Sequence, residues 1–155
     1  MKRAADLGTV KGRQAGTVEE ATYLDLLRTA ESLSRRMSAV LKAEDLSPTQ
    51  YNVLRILRGA RGALPCGEIA SRMITRDPDI TRLLDRLEKR GFISRSRETQ
   101  DRRTVLTRIT PGGLALLARL DEPVQGAHKK HLGHLGRQRL RELAELLREA
   151  RGEAA

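Results

Sequence analysis

The sequence predicts a mainly helical α+β fold, with long helices flanking a compact middle that ends in a β-hairpin. Three observations carry this expectation. Leucine and alanine supply 24 and 17 of the 155 residues, while the aromatics are only Tyr23, Tyr51 and Phe92, and a core built from such residues favours helices. Apolar residues recur at steps of three and four on both sides of the middle, and alternate over only two short runs. Residues 47–111 carry 14 basic against 7 acidic side chains, so most of the formal net charge of +10 lies there.

Several classes are excluded at once. Cys66 is the only cysteine, so there is no intramolecular disulfide framework and no cysteine-rich zinc site. The longest apolar run, 114–118, is far too short to span a membrane. Lys2 and Arg3 are followed by Asp6 and Lys11, which interrupt any signal-peptide core. The expectation is a soluble cytoplasmic protein. Of its 30 basic residues, 24 are arginine, a side chain suited to bidentate contacts with phosphate and base edges. A positive balance of this size points to a polyanionic partner.

The elements follow in order. Residues 1–16, with Gly8, Gly12 and Gly16 and little apolar content, read as a flexible basic arm. From Ala21, the positions Tyr23, Leu26, Leu27, Ala30, Leu33, Met37, Val40 and Leu41 mark one face of a long helix ending near 43–46. Ser47-Pro48-Thr49-Gln50 is a helix start: Ser47 caps, Pro48 fits the first position and Gln50 returns a hydrogen bond. Tyr51, Leu54 and Leu57 face inward on that short helix, which stops at Gly59 or Gly62. Residues 64–66 read as an extended link. Residues 68–73 form one amphipathic stretch with Ile69, Ala70 and Met73 inward, and Asp77-Pro78 reads as a second capped start.

The helix expected over 78–90 is the most informative. Ile80, Leu83, Leu84 and Leu87 gather on one side, and Arg82, Asp85 and Lys89 lie opposite, flanked by Thr81 and Arg86. A packed back with an Arg/Lys/Thr front fits the DNA major groove, although a charged face alone is more often simply solvated. Gly91 ends the helix in the left-handed conformation, and Phe92 then packs on Leu87. Two β-like runs follow, 92–97 and 103–110, joined by a polar tip at 98–102. Arg95, Arg97, Arg102, Arg103 and Arg108 line this hairpin. A hairpin directly after a groove-reading helix is the wing of a winged helix-turn-helix, whose tip can place an arginine in the minor groove.

These residues together resemble the MarR family of transcriptional regulators. The likeness rests on Leu46-Ser47-Pro48-Thr49-Gln50-Tyr51, on Glu68-Ile69-Ala70, and on the run from Ile80-Thr81-Arg82-Leu83-Leu84-Asp85-Arg86-Leu87 through Gly91-Phe92-Ile93. It continues through the wing Asp101-Arg102-Arg103 to Ile109-Thr110-Pro111-Gly112-Gly113. The resemblance covers about residues 20–150 and implies four parts. These are the arm (1–16), an N-terminal dimerisation helix (17–46), a winged helix-turn-helix lobe (47–111) and C-terminal dimerisation helices (112–155). It implies a homodimer on a palindromic operator in double-stranded DNA, with two recognition helices about one helical turn apart. Thr81, Arg82, Arg86 and Lys89, with Arg76, match groove and phosphate contacts. Asp101, Arg102 and Arg103 match the wing, with Asp101 orienting Arg103. Leu26, Leu140, Leu143 and Leu147 are the expected dimer contacts. Many members are repressors released by phenolic or other lipophilic ligands, and Tyr23, Leu27 and Tyr51 stand nearest the pocket this implies.

Two features depart from the family pattern. Asp77-Pro78-Asp79 stands where small residues are usual, and its carboxylates suit the helix dipole but repel phosphate. Pro123 falls inside the helix expected over 111–132 and should kink or break it. The last helix, about 137–151, presents Leu140, Leu143, Ala144 and Leu147 on one face. That face suits a partner helix or the core of its own subunit.

Cys66 reads as a structural cysteine. His128, His131 and His134 are spaced to share a helix face, but Lys129 and Lys130 lie between them, and a solvated or interface cluster is favoured over a metal site. No cofactor is expected. No phosphate-binding glycine loop or nucleophile elbow supports an enzyme. The leading reading is a sequence-specific dimeric regulator, a repressor released by a small ligand. The alternative is a winged-helix protein that binds DNA without an effector or with little sequence choice, which would hold operator and random DNA alike. A nucleic-acid-processing enzyme is the third reading, and the missing acidic or histidine cluster argues against it.

Overall fold

The computed structural model describes residues 16–153. The expected arm lies outside these apart from Gly16. Among these, residues 16–32 and residues 33–153 fall into two compact units.

Helix α1 runs over Val18–Leu41, three residues ahead of the start that periodicity marks. Thr17 explains the difference, because its hydroxyl accepts the Glu20 amide at 3.1 Å and caps the helix. Within the first unit the apolar positions are open: Tyr23 is 61% exposed and Leu27 51%.

In the second unit, α1 ends at the wholly buried Leu41 and gives way to a 3-10 helix, Lys42–Glu44. Asp45 takes the left-handed conformation (φ 52°) to turn the chain. Helix α2, Pro48–Gly59, begins with the reciprocal cap read from the sequence. Ser47 Oγ accepts the Gln50 amide, and Gln50 Oε1 accepts the Ser47 amide.

The supposed link at 64–66 is structural. Leu64–Pro65 forms strand β1, and Cys66 opens helix α3, Cys66–Arg72. The pairing that makes β1 a strand comes from far downstream, with Leu64 opposite Thr107 and Pro65 opposite Leu106. Strands β2 (Ile93–Arg97) and β3 (Val105–Ile109) pair antiparallel from Ile93–Ile109 to Arg97–Val105, which puts β3 in the middle of the sheet.

Between α3 and the hairpin lies helix α4, Ile80–Lys89. Its cap is Asp79, whose carboxylate accepts the Arg82 amide at 3.1 Å, and not Asp77. Asp77 instead accepts the Asp79 amide at 2.9 Å, so Pro78 sits in the turn before the helix. The C-terminus closes as expected: Gly91 has φ 75°, its amide reaches Glu88 O, and the Phe92 amide reaches Leu87 O. Phe92 packs against the buried cluster that includes Leu87.

Helix α5 spans Pro111–Leu132 without interruption although Pro123 lies inside it. The proline removes one backbone donor, but Leu116, Leu117, Leu120, Val124 and Ala127 are all buried on one face, and this packing holds the helix across the defect. A second 3-10 helix, Gly133–Leu135, and Gly136 (φ 76°) lead into helix α6, Arg137–Ala150.

One core joins these parts. Leu41, Leu46, Val53, Leu54 and Leu57 meet Leu64, Ile69, Leu83, Leu84 and Leu87, together with Ile93 and the buried face of α5. Arg58 clamps Asp121 with two 2.8 Å hydrogen bonds, tying α2 to α5. Arg119 grips Glu44 at 3.1 Å, tying α5 to the first 3-10 helix. Gly113 allows a close approach, since a Cβ there would land on the Phe92 carbonyl. Helix α6 contributes no buried residue.

Candidate nucleic-acid interface

Helix α4 buries Leu83, Leu84 and Leu87 and leaves Thr81, Arg82, Arg86 and Lys89 exposed. Its remaining charges explain why that face is basic. Asp85 and Glu88, which a helical wheel mixes among the cations, are drawn to the sheet side by Arg95 of β2. Arg95 Nε donates to Glu88 Oε2 at 2.9 Å, its Nη2 reaches Glu88 and Asp85 at 2.5 Å, and its amide donates to Glu88 Oε1 at 3.1 Å. These hydrogen bonds, first those to Glu88, hold the guanidinium pKa above its usual value. Among the described residues no carboxylate pairs with Arg82, Arg86 or Lys89. Arg95, expected on the open hairpin, is therefore committed to the body of the lobe.

The wing tip is organised by Asp101. Its Oδ1 accepts the Arg103 amide at 3.0 Å and its Oδ2 accepts the Thr104 hydroxyl at 3.0 Å. The orienting contact expected from Asp101 falls on the Arg103 backbone amide and not on its guanidinium. An aspartate bonding two residues ahead shapes a tight turn and sets where the Arg103 side chain leaves it. Arg97 Nη1 donates to Arg102 O at 3.2 Å and braces the tip. Arg102 and Arg103 are exposed, as is Arg76 in the segment before α4.

A cleft of about 410 Å³ lies beside α4, lined by Arg82 and Arg86, by the carboxylates Asp77 and Asp79 before the helix, and by Ser47, Thr49 and Gln50 at the start of α2. The hydroxyl-bearing start of α2 was not among the DNA-contact candidates from sequence, because its signal had been explained by capping. Asn52 fixes the loop before α4, accepting the Ile74 amide at 2.9 Å. Arg90 anchors the other end of α4, donating to Asp45 O at 2.6 Å and Glu44 O at 3.0 Å while stacking 4.8 Å from the Phe92 ring centre.

The other candidates are placed as follows. Tyr51 is half-buried against the core and its hydroxyl accepts from Arg55 Nη1 at 3.1 Å. Tyr23 and Leu27, in the first unit, are exposed. Leu26 is 39% exposed and Leu143 38%, while Leu140 and Leu147 are half-buried. His128 and His134 are exposed and His131 is half-buried. Desolvation first, then the charge of Arg36, holds the His131 pKa below its ordinary value. Among the described residues no group of three or more His, Cys, Asp or Glu side chains is placed to hold a metal ion. No helix among them is long and apolar enough to cross a membrane.

A capped helix with an unpaired basic face, followed by an arginine-tipped hairpin on one small sheet, defines a winged helix-turn-helix DNA-binding lobe. Known proteins agree. The MarR family model matches residues 46–105. The crystal structure of a MarR transcription factor from Planctomyces limnophilus is 40% identical, with a TM-score of 0.67, over 87% of this chain and 98% of that one. The HTH-type transcriptional regulator FarR of Neisseria gonorrhoeae is 27% identical over 126 residues, 81% of this chain and 86% of FarR. A mutant E. coli MarR complexed with operator DNA is 25% identical, with a TM-score of 0.76, over 88% of this chain and 99% of that one. The chain belongs to the MarR family: it is a DNA-binding transcriptional regulator and not an enzyme.

Proposed function

We propose that this regulator acts in the cytoplasm as a homodimeric repressor on a palindromic operator and is released by a small lipophilic or phenolic ligand. The observation that carries the DNA-reading part is the division of charge on α4. Arg95 pairs with both Asp85 and Glu88 on the sheet side, while among the described residues no carboxylate pairs with Arg82, Arg86 or Lys89. In this reading Thr81, Arg82 and Arg86 enter the major groove, Lys89 and Arg76 bind phosphates, and Asp101 presents Arg102 and Arg103 to the minor groove. Residues 17–46 and 112–155 serve dimerisation, through Leu26 in the first and Leu140, Leu143 and Leu147 in the second.

The test is a salt titration of binding to the DNA upstream of the gene. Arg103→Ala should weaken binding about tenfold and lower the slope of log affinity against log salt by about one. An unchanged slope removes Arg103 from the interface. Equal affinity for operator and random duplex at one salt concentration would favour the reading without sequence choice. A screen for small molecules that release the operator then tests the effector.

A further inference from the structure

An open cleft of about 560 Å³ lies where the first 3-10 helix, the start of α2 and the C-terminal end of α4 meet. Lys42, Arg86, Lys89 and Arg90 stand in its wall with Ser47 and a single carboxylate, Asp45. Arg90 is committed to the fold, since it donates to Asp45 O and Glu44 O and so fastens the 3-10 helix to the end of α4. The Ser47 hydroxyl is also taken, by the Gln50 amide and by Thr49 Oγ1. Lys42, Arg86 and Lys89 are exposed, and among the described residues no carboxylate pairs with any of them. Like charges held together by the fold raise the local positive potential and attract an anion. The cleft shares Ser47, Gln50 and Arg86 with the one beside Arg82, so the two form one trough along the exposed face of α4. From Arg82 to Lys89 the trough follows about 10 Å of helix at 1.5 Å per residue, roughly three nucleotide steps of duplex DNA at 3.4 Å each. The Asp77 and Asp79 carboxylates line the far end, so the excess of cations gathers at the end that holds Lys42.

We propose that this cleft binds a phosphodiester of the DNA backbone, with Lys42 as a contact from outside the winged lobe and Lys89 as its neighbour on α4. An ammonium suits this task, because it is a compact point charge on a flexible stem and reaches a phosphate without demanding one orientation. The contact carries no base identity, so it adds affinity and salt dependence on every duplex and no sequence choice. Arg86 stands at the junction of the two clefts and sets this phosphate beside the groove-reading face of α4; the assignment rests on that reading. Lys42 follows α1 directly in the chain. A phosphate held between Lys42 and Lys89 therefore ties the helix proposed for dimerisation to the recognition helix. Asp45 works against the site, since its carboxylate lines the same cleft and repels the anion.

The experiment measures binding of the full-length protein to the duplex upstream of its gene and to a random duplex across a salt series. Lys42→Ala should weaken both by the same factor, about fivefold at low salt, and lower the slope of log affinity against log salt by about one for each bound subunit. Lys42→Arg should restore most of the loss. Lys42 is exposed and makes no ion pair, so both variants should melt with the natural protein. Asp45→Asn keeps a residue that tolerates the left-handed conformation and should act in the opposite direction, tightening both duplexes about twofold. A scan of neutral methylphosphonate substitutions separates contact from long-range attraction. At one backbone position in each half-site the substitution should weaken the natural protein as much as Lys42→Ala does, and should weaken Lys42→Ala no further. An unchanged salt slope in Lys42→Ala, a loss confined to one of the two duplexes, or a scan in which no position couples to Lys42 overturns the proposal. Equal affinity of the natural protein for both duplexes overturns the operator reading instead, and the Lys42 comparison still decides this site, because a backbone contact acts on either duplex.

Discussion

The winged lobe and helix α6 are both amphipathic, yet they bury their apolar faces to very different degrees. In the lobe, α2, α4, β1 and β2 each insert buried leucine, isoleucine or valine side chains into one core. Helix α6 has no buried residue, and Leu146 is 61% exposed and Leu143 38%. The lobe is therefore complete within one subunit. This half-open apolar stripe on a highly charged helix is the surface proposed above for a second copy of this chain.

The largest effect tests that contrast directly. Leu143→Glu with Leu147→Glu should yield monomers by light scattering and abolish measurable operator binding, while the lobe keeps its fold by circular dichroism. A double variant that remains dimeric would place the interface elsewhere. Leu84→Ala should do the opposite. It should cost about 2–5 kcal/mol in urea denaturation and leave the oligomeric state intact.

Ser47→Ala has a smaller effect. Losing the reciprocal cap of α2 should cost about 1 kcal/mol, with no change in dimerisation. The smallest effect concerns pH. The hydrogen bonds from Arg58 hold the Asp121 carboxyl below the usual carboxylate range. Its folded pKa is therefore lower than its unfolded one. The stabilisation is present above the unfolded carboxylate pKa of about 4 and is lost as pH falls through the folded value. Both side chains are partly exposed, so screening keeps the gain modest. The melting temperature of Asp121→Asn should approach that of the natural protein as pH drops from 6 to 3.

Much of the lobe was legible because its signals are local. Ser47 and Gln50 cap within one turn, Gly91 closes α4 with bonds spanning a few residues, and alternation marks β2 and β3. The misreadings arose where a distant partner or a competing local bond decided. Pairing with Thr107 and Leu106 turned 64–65 into a strand. Asp79 displaced Asp77 as the cap because its carboxylate reaches the Arg82 amide from the position directly before the helix. Asp101 engages the backbone two residues ahead, which a reading of charges as ion pairs overlooks.

The sequence by itself determined the helix and hairpin order, the capped starts, the basic middle and the family, since spacing, turn chemistry and composition act over short distances along the chain. Only the tertiary structure decided which charges remain available. Arg95 meets Asp85 and Glu88 because β2 folds back beside α4, and Pro123 stays helical because the core grips α5 on both sides of it. Leu64 and Pro65 enter the sheet because a strand pairing joins segments about 40 residues apart. Contacts of that range depend on how elements pack, and no local pattern encodes them.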